Sequence, residues 1–208
     1  ALLTPSVNIS ASEILEETSF NYKMYPWRIC EASPAHQDFE LTNDGTLPLK
    51  KGVKVYAEGI AADALAEFAT VVDDPKDADA IIYRTTTAPD RRGFGGAASS
   101  EVNIDFPAEK TDNLKKLISY GKPVVADLNP TGSTCLISEE LKGLPNAILL
   151  SFDPTDKAVL TVLFGDFKPV GKLPFEIPSS MDAVRAQLED KPCDSANPSF
   201  PFGFGLTY

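Results

Sequence analysis

The sequence predicts an α/β fold: a mainly parallel sheet flanked by helices, an α/β sandwich, preceded by an irregular N-terminal arm. Two observations carry this. After Pro48, short apolar runs alternate with segments of helical spacing, and Gly or Pro punctuates the joints. The arm before that point holds no sustained period and is interrupted by prolines.

The arm and its domain boundary are placed at 1–40 and 41–208. Within the arm, Ser10 or Ser12 could cap a short helix, and Phe20, Tyr22, Tyr25 and Trp27 form an aromatic stretch. Pro26 and Pro34 argue against a central strand there. The segment reads as a linker that packs on a neighbour.

Beyond it, Val53–Tyr56 is expected as a strand and Ala61–Ala69 as a helix. Ala80–Tyr83 is the next strand, followed by a long loop from Thr85 to Pro107. Ala108–Tyr120 carries Leu114, Leu117 and Ile118 at helical spacing, and Gly121 ends it. Asp105 is placed as the cap of that helix. Then come a strand at Pro123–Leu128, a short helix at Ser138–Leu141, a strand at Ala147–Phe152 and a helix at Pro154–Phe164, with Pro154 in its first turn. Lys172–Ile177 is expected as an edge strand, because Pro174 cannot donate to a ladder. In parallel sheets ligands meet the loops beyond the carboxyl ends of the strands, so the loops after Tyr83, Leu128 and Phe152 are the ones to watch.

Composition narrows the function. Hydrophobic residues make up 43% of the chain, as in a globular protein, and the net charge is −11. That charge repels a phosphate backbone, so nucleic acid is not expected as a partner. No apolar run approaches the length needed to span a bilayer, so no membrane partner is expected either. The three cysteines, Cys30, Cys135 and Cys193, are widely spaced and form no CxxC pair, so a metal site has no support. They are compatible with one disulfide and one free thiol, or with three reduced thiols. The Gly93-Phe94-Gly95-Gly96 run lacks the strand–turn–helix setting of a dinucleotide site, and no cofactor is expected. His36 is the sole histidine and lies in the arm, a poor place for a Ser-His-Asp triad.

Four segments, in order, resemble the C-terminal domain of family 3 glycoside hydrolases. Leu41-Thr42-Asn43-Asp44-Gly45-Thr46-Leu47-Pro48-Leu49 resembles "LLKNDGxLPL", with Thr42 in place of Lys. Gly121-Lys122-Pro123-Val124-Val125 resembles "GKPVVVV". Leu163 to Pro174 is similar to "LFGDxxPSGKLP", and Pro201 to Tyr208 to the closing "YPFGYGLSY". As turn chemistry, Asn43-Asp44-Gly45, Asp166 and Gly171 read as scaffold. The segment Ser151 to Asp156 departs from the family's Tyr-Pro-Gly-Gln-Glu-like run.

The resemblance implies carbohydrate hydrolysis by a retaining exo-β-glycosidase of β-glucosidase type. Its nucleophile would be an Asp on an N-terminal (β/α)8 barrel, whose "SDW/SDY" motif does not occur here. The barrel domain or chain is then the expected partner, and a β-linked glucoside or oligosaccharide the expected substrate. The acid/base would come from the loop after Tyr83, where Glu101 in Glu101-Val102-Asn103-Ile104-Asp105-Phe106-Pro107 matches the Glu of "EGxLDFP". Asp90 is the second choice. Arg91, Arg92 and Phe94 are the candidate sugar contacts on the same loop. A periplasmic or secreted protein is expected rather than a cytoplasmic one, with the compartment not fixed by the sequence. The alternative is a non-catalytic carbohydrate-binding or interaction module of the same fold.

Overall fold

A computed structural model describes residues 39–86, 104–130, 135–152, 154–188 and 191–207. Six strands form a single sheet: β1 (Phe39–Asn43), β2 (Lys54–Glu58), β3 (Thr70–Val71), β4 (Ala80–Thr86), β5 (Val124–Asn129) and β6 (Ala147–Leu150). Their spatial order is β1-β6-β5-β4-β2-β3. All pairings are parallel except β1 with β6. The helices are α1 (Ala62–Ala66), α2 (Ala108–Ile118), α3 (Glu139–Lys142), α4 (Asp156–Leu163) and α5 (Met181–Arg185), with a 3-10 turn at Pro75–Asp77.

The apolar strands predict their own burial. Every residue of β5 and of β6 is buried, so neither face of the sheet meets water there. Successive side chains point to opposite faces. Ile81, Val124, Ala126, Leu128, Ile148 and Leu150 pack on one side with Leu114 and Leu117 of α2 and Leu141 of α3. Ala80, Ile82, Val125, Ala147 and Leu149 pack on the other with Leu65 of α1 and Val159, Leu160, Val162 and Leu163 at α4. Three layers result, as expected of the sandwich.

Side-chain caps fix several helix starts. Ser138 Oγ accepts from Leu141 N at 3.1 Å, and Thr155 Oγ1 from Ala158 N at 3.4 Å. Thr155 is therefore the N-cap of α4 and Pro154 precedes the helix, where a first-turn position is expected from the sequence. The N-cap of α2 is Pro107, with no side-chain cap, so Asp105 does not hold the position assigned to it. Gly121, at φ +70°, lies just beyond the end of α2 as expected.

Two further expectations are corrected. The turn at Asn43-Asp44-Gly45 forms, with Asn43 Oδ1 accepting from Gly45 N and Leu47 N, but it follows a strand as well as preceding one. Lys172–Ile177 is not an edge strand. Ile177 makes only an isolated antiparallel bridge with Phe200, and Leu173 exchanges main-chain hydrogen bonds with Phe204 and Gly203. The run's apolar alternation is real, since Leu173 and Ile177 are buried, but it buries against the C-terminal tail rather than against the sheet. Pro174 interrupts the donors that a ladder would need.

Candidate functional site at the carboxyl edge of the sheet

The parallel strands β2, β4, β5 and β6 all end on the same edge. Leaving aside β1, the order β3-β2-β4-β5-β6 is that of a doubly wound sheet with its switch point between β2 and β4. The chain passes very close to itself there. A Cβ on Gly59, which follows β2, would lie 2.1 Å from the carbonyl oxygen of Arg84 on β4.

Arg84 organises this edge. Its side chain is 10% exposed and reaches three segments. Nε lies 3.0 Å from Asp127 Oδ2 on β5, Nη1 donates to Asp156 Oδ1 at 2.5 Å, and Nη2 donates to the Pro154 carbonyl at 2.6 Å. Ser151, just past β6, donates its hydroxyl to Asp127 Oδ1 at 2.6 Å. The second oxygen of Asp156 accepts from Ala61 N, after β2, at 2.8 Å. One network thus ties together the exits of β2, β4, β5 and β6.

Asp127 is fully buried. Burial pushes its carboxyl up to about 6, with the Arg84 charge and the Ser151 hydroxyl pulling in the opposite direction and Asp156 adding a like charge. Its Oδ2 is held by the charge of Arg84 without hydrogen-bond alignment. A perturbed carboxyl at a strand's carboxyl end invites an acid/base reading. With no exposed surface, Asp127 cannot reach a substrate, so its part is to hold Arg84.

A second polar group sits beside it. Tyr56 Oη donates to Glu58 Oε1 at 3.0 Å, and Asn113 Nδ2 of α2 donates to Glu58 Oε2 at 2.6 Å. Lys110 of α2 donates to Thr86, the last residue of β4, through both the carbonyl and the hydroxyl oxygen. The start of the long loop is therefore held from both faces: Arg84 on one, Lys110 on the other.

The loop itself carries every sugar-contact and acid/base candidate. Glu101, Arg91, Arg92, Phe94 and Asp90 lie outside the described residues, as do Cys30, His36 and the arm's aromatic stretch. The chain leaves at Thr86 and returns at Ile104, whose carbonyl accepts from Leu136 N at 2.9 Å. Asp105 lines an open groove with Thr111, Lys115 and Glu140, the last two joined by an exposed ion pair of 2.6 Å. Among the described residues no group of three or more His, Cys, Asp or Glu could hold a metal ion, and no helix is long and apolar enough to cross a membrane.

Sequence reasoning did not single out Arg84, Asp127, Ser151 or Asp156. The signal was a charged or hydroxyl residue embedded in, or directly after, an apolar strand: Arg84 after Ile81-Ile82-Tyr83, Asp127 inside Val124 to Leu128, Ser151 after Ile148-Leu149-Leu150. The segment Ser151 to Asp156, which departs from the family's usual run, is also the one that supplies four of the network's contacts.

A three-layer sandwich with this strand order and a polar knot at its carboxyl edge defines the class: an α/β domain built to present loops from one side. The chain belongs to the glycosyl hydrolase family 3 C-terminal domain family, whose model matches residues 51–208. It is 35% identical over 172 residues to the periplasmic beta-glucosidase/beta-xylosidase of Dickeya chrysanthemi, covering 81% of this chain and 26% of that protein. It is 37% identical over 174 residues to beta-glucosidase C of Emericella nidulans, covering 81% and 28%. The chain thus spans about a quarter of the length of these curated relatives. Among solved structures, the beta-glucosidase of Listeria innocua in complex with gluconolactone superposes with a TM-score of 0.66 at 20% identity, over 98% of this chain and 35% of that one. At that identity the likeness speaks for the fold.

Proposed function

We propose that this chain supplies the acid/base of a retaining exo-β-glycosidase of β-glucosidase type, and that it works only together with a (β/α)8 barrel bearing the nucleophilic Asp. The observation that carries the reading is the family match over residues 51–208, in relatives named as β-glucosidases that are about four times as long as the matched stretch. The geometry is in keeping with it: the long loop departs from the carboxyl edge, beside the switch point, where ligands meet such sheets.

In this reading Glu101 is the general acid and then the general base. The barrel Asp attacks the anomeric carbon while Glu101 gives its proton to the departing glycosidic oxygen, and that bond breaks. Water then loses a proton to Glu101 and attacks the same carbon, releasing the Asp carboxylate. The two carboxyls must stand about 5–5.5 Å apart. A cleft between two domains keeps Glu101 protonated through desolvation and the nucleophile's charge. Arg91, Arg92 and Phe94 are proposed to hold the sugar, through hydrogen bonds and an apolar ring face. No cofactor enters the scheme. A periplasmic or secreted location accords with the relatives from Dickeya chrysanthemi and Salmonella typhimurium, both described as periplasmic.

Glu101→Gln in the assembled enzyme tests the assignment. It should slow β-glucosides with poor leaving groups by about 10²–10⁴-fold. Activated phenol glucosides need less protonation, so their glycosylation should suffer less. Azide should speed release of the glycosyl-enzyme, since an anionic nucleophile needs no base. Wild-type rates on both substrate types would place the acid elsewhere. Unchanged turnover after deletion of the loop would favour the non-catalytic module.

A further inference from the structure

We infer that the Arg84 network is a pH-sensitive clasp: one guanidinium serves two carboxyls, and a proton moving on and off Asp127 decides how its grip divides between β5 and the start of α4. The inference stands on the network alone and is independent of the glycosidase reading.

The first support is the balance of charge on one face of the sheet. Asp127 lies between Ala126 and Leu128, which pack toward α2 and α3, so its side chain points to the face covered by α1 and α4. Arg84, two residues after Ile82, points the same way. Asp156, at the start of α4, completes the group. With both carboxyls ionised, one cation faces two anions and the cluster holds an excess negative charge. The other charged groups of α1 and α4 are engaged elsewhere: Lys157 and Glu67 pair with each other at 2.7 Å, both exposed, and Asp63 accepts from Ala64 N at 2.9 Å. Glu58 is held by Asn113 on the α2 side, and Lys110 of α2 donates to Thr86.

Second, the geometry selects Asp127 as the carboxyl that titrates. Both oxygens of Asp156 already receive donors, from Arg84 Nη1 and Ala61 N, and its side chain is 29% exposed. Asp127 is fully buried, and only the Ser151 hydroxyl is aligned with it, at 2.6 Å. An excess charge costs most where water is absent, so the proton goes there. Burial pushes Asp127 up to about 6, and the like charge of Asp156 acts in the same sense, while Arg84 and Ser151 act against it.

Third, the network accommodates both states. Ser151 donates to Asp127 Oδ1 when the carboxyl is ionised, and the same hydroxyl, by rotating, accepts from Oδ1 when it is protonated. Oδ2 faces Arg84 Nε in either state, and the Pro154 carbonyl fixes Nη2 throughout. A neutral Asp127 leaves the guanidinium charge to Asp156, and an ionised one divides it. Asp156 passes the change to the Ala61 amide, beyond β2. The exits of β2, β4 and β5 and the start of α4 thus register one proton.

The test is a nuclear magnetic resonance titration of the full chain from about pH 3 to 8. It follows the side-chain carboxyl carbons of Asp127 and Asp156, Arg84 Nε and the Ala61 amide. Asp127 should titrate at about 6, against 3.8 for an ordinary aspartate, and Arg84 and Ala61 should shift with the same midpoint. The Ile177 amide, which bonds to the Phe200 carbonyl away from the network, should stay flat across that midpoint. Ser151→Ala should move the midpoint up and Asp156→Asn should move it down, since the first removes a hydrogen bond that favours the charge and the second a like charge that opposes it. Asp127→Asn should abolish the transition at Arg84 and Ala61. An Asp127 midpoint at or below about 4 would overturn the inference, as would Arg84 or Ala61 signals that stay flat while Asp127 titrates. So would an unmoved midpoint in Asp156→Asn. If a variant does not fold, the wild-type titration decides: a shared midpoint near 6 supports the clasp, and separate midpoints overturn it.

Discussion

Gly59→Ala puts the close approach of β2 and β4 under direct test. Two costs can be read from the structure. Gly59 holds φ +80°, a left-handed conformation that costs an L-residue about 1–2 kcal/mol. The new methyl group would also lie 2.1 Å from the carbonyl oxygen of Arg84 and 3.0 Å from its carbonyl carbon, so backbone must move. Overpacking of that kind costs about 1–3 kcal/mol. The sum is about 2–5 kcal/mol, reduced by the few tenths that alanine saves by restricting the unfolded chain. Gly121→Ala is the matched control, since its φ is +70° and nothing lies within 4 Å of its built Cβ. It should show the conformational cost alone. Urea denaturation of both variants measures the difference, and in a chain of this size each 1 kcal/mol moves the melting temperature by about 2–4 °C. Equal losses for the two variants would refute the close approach, and with it the placement of Arg84 against the end of β2.

Two further predictions concern titrating groups. Because burial holds Asp127 near 6 in the folded chain against 3.8 for an ordinary aspartate, the native state keeps a proton that the unfolded state has lost between those values. Its contribution to stability is therefore greatest below about 4 and is lost as the pH rises through 6, by about 3 kcal/mol in all. Wild type measured against Asp127→Asn in urea from pH 4 to 7 should show that slope, and parallel curves would contradict it. Cys135 is buried, with its thiol pushed up to about 12, while Cys193 is exposed. A thiol reagent at neutral pH should modify Cys193 in the native chain and Cys135 only after unfolding, read by peptide mapping. Rapid native labelling of Cys135 would show that its segment opens.

Much of the fold was legible because the central strands are buried on both faces. Val124-Val125-Ala126 and Ala147 to Leu150 read as unbroken apolar runs, and helices between them leave only a parallel connection. The strand at Phe39–Asn43 was not legible. It pairs with β6 through its main chain, and Phe-Glu-Leu-Thr-Asn before a turn signal carries too short an alternation to announce a strand. Lys172–Ile177 misled in the opposite sense, because burial against a tail and burial against a sheet select the same apolar side chains. The Arg84 network was written in the sequence only as polar interruptions in apolar strands. Which interruptions meet depends on register: Arg84 is the residue opposite Asp127 in the β4–β5 pairing, and that is settled by the folded sheet. The acid/base and sugar-contact candidates came from the family resemblance alone, since nothing in composition or periodicity distinguishes Glu101 from a solvated loop carboxylate.

The most direct test of the central claim is hydrolysis of an aryl β-glucoside by this chain alone, and by the chain together with its barrel, with proton NMR following the first-formed sugar. The account predicts no turnover by the chain alone, because one carboxylate cannot run a two-carboxylate mechanism. With the barrel present it predicts turnover that releases the β-anomer first. Hydrolysis by the chain alone, no hydrolysis by the pair, or first release of the α-anomer would each contradict it.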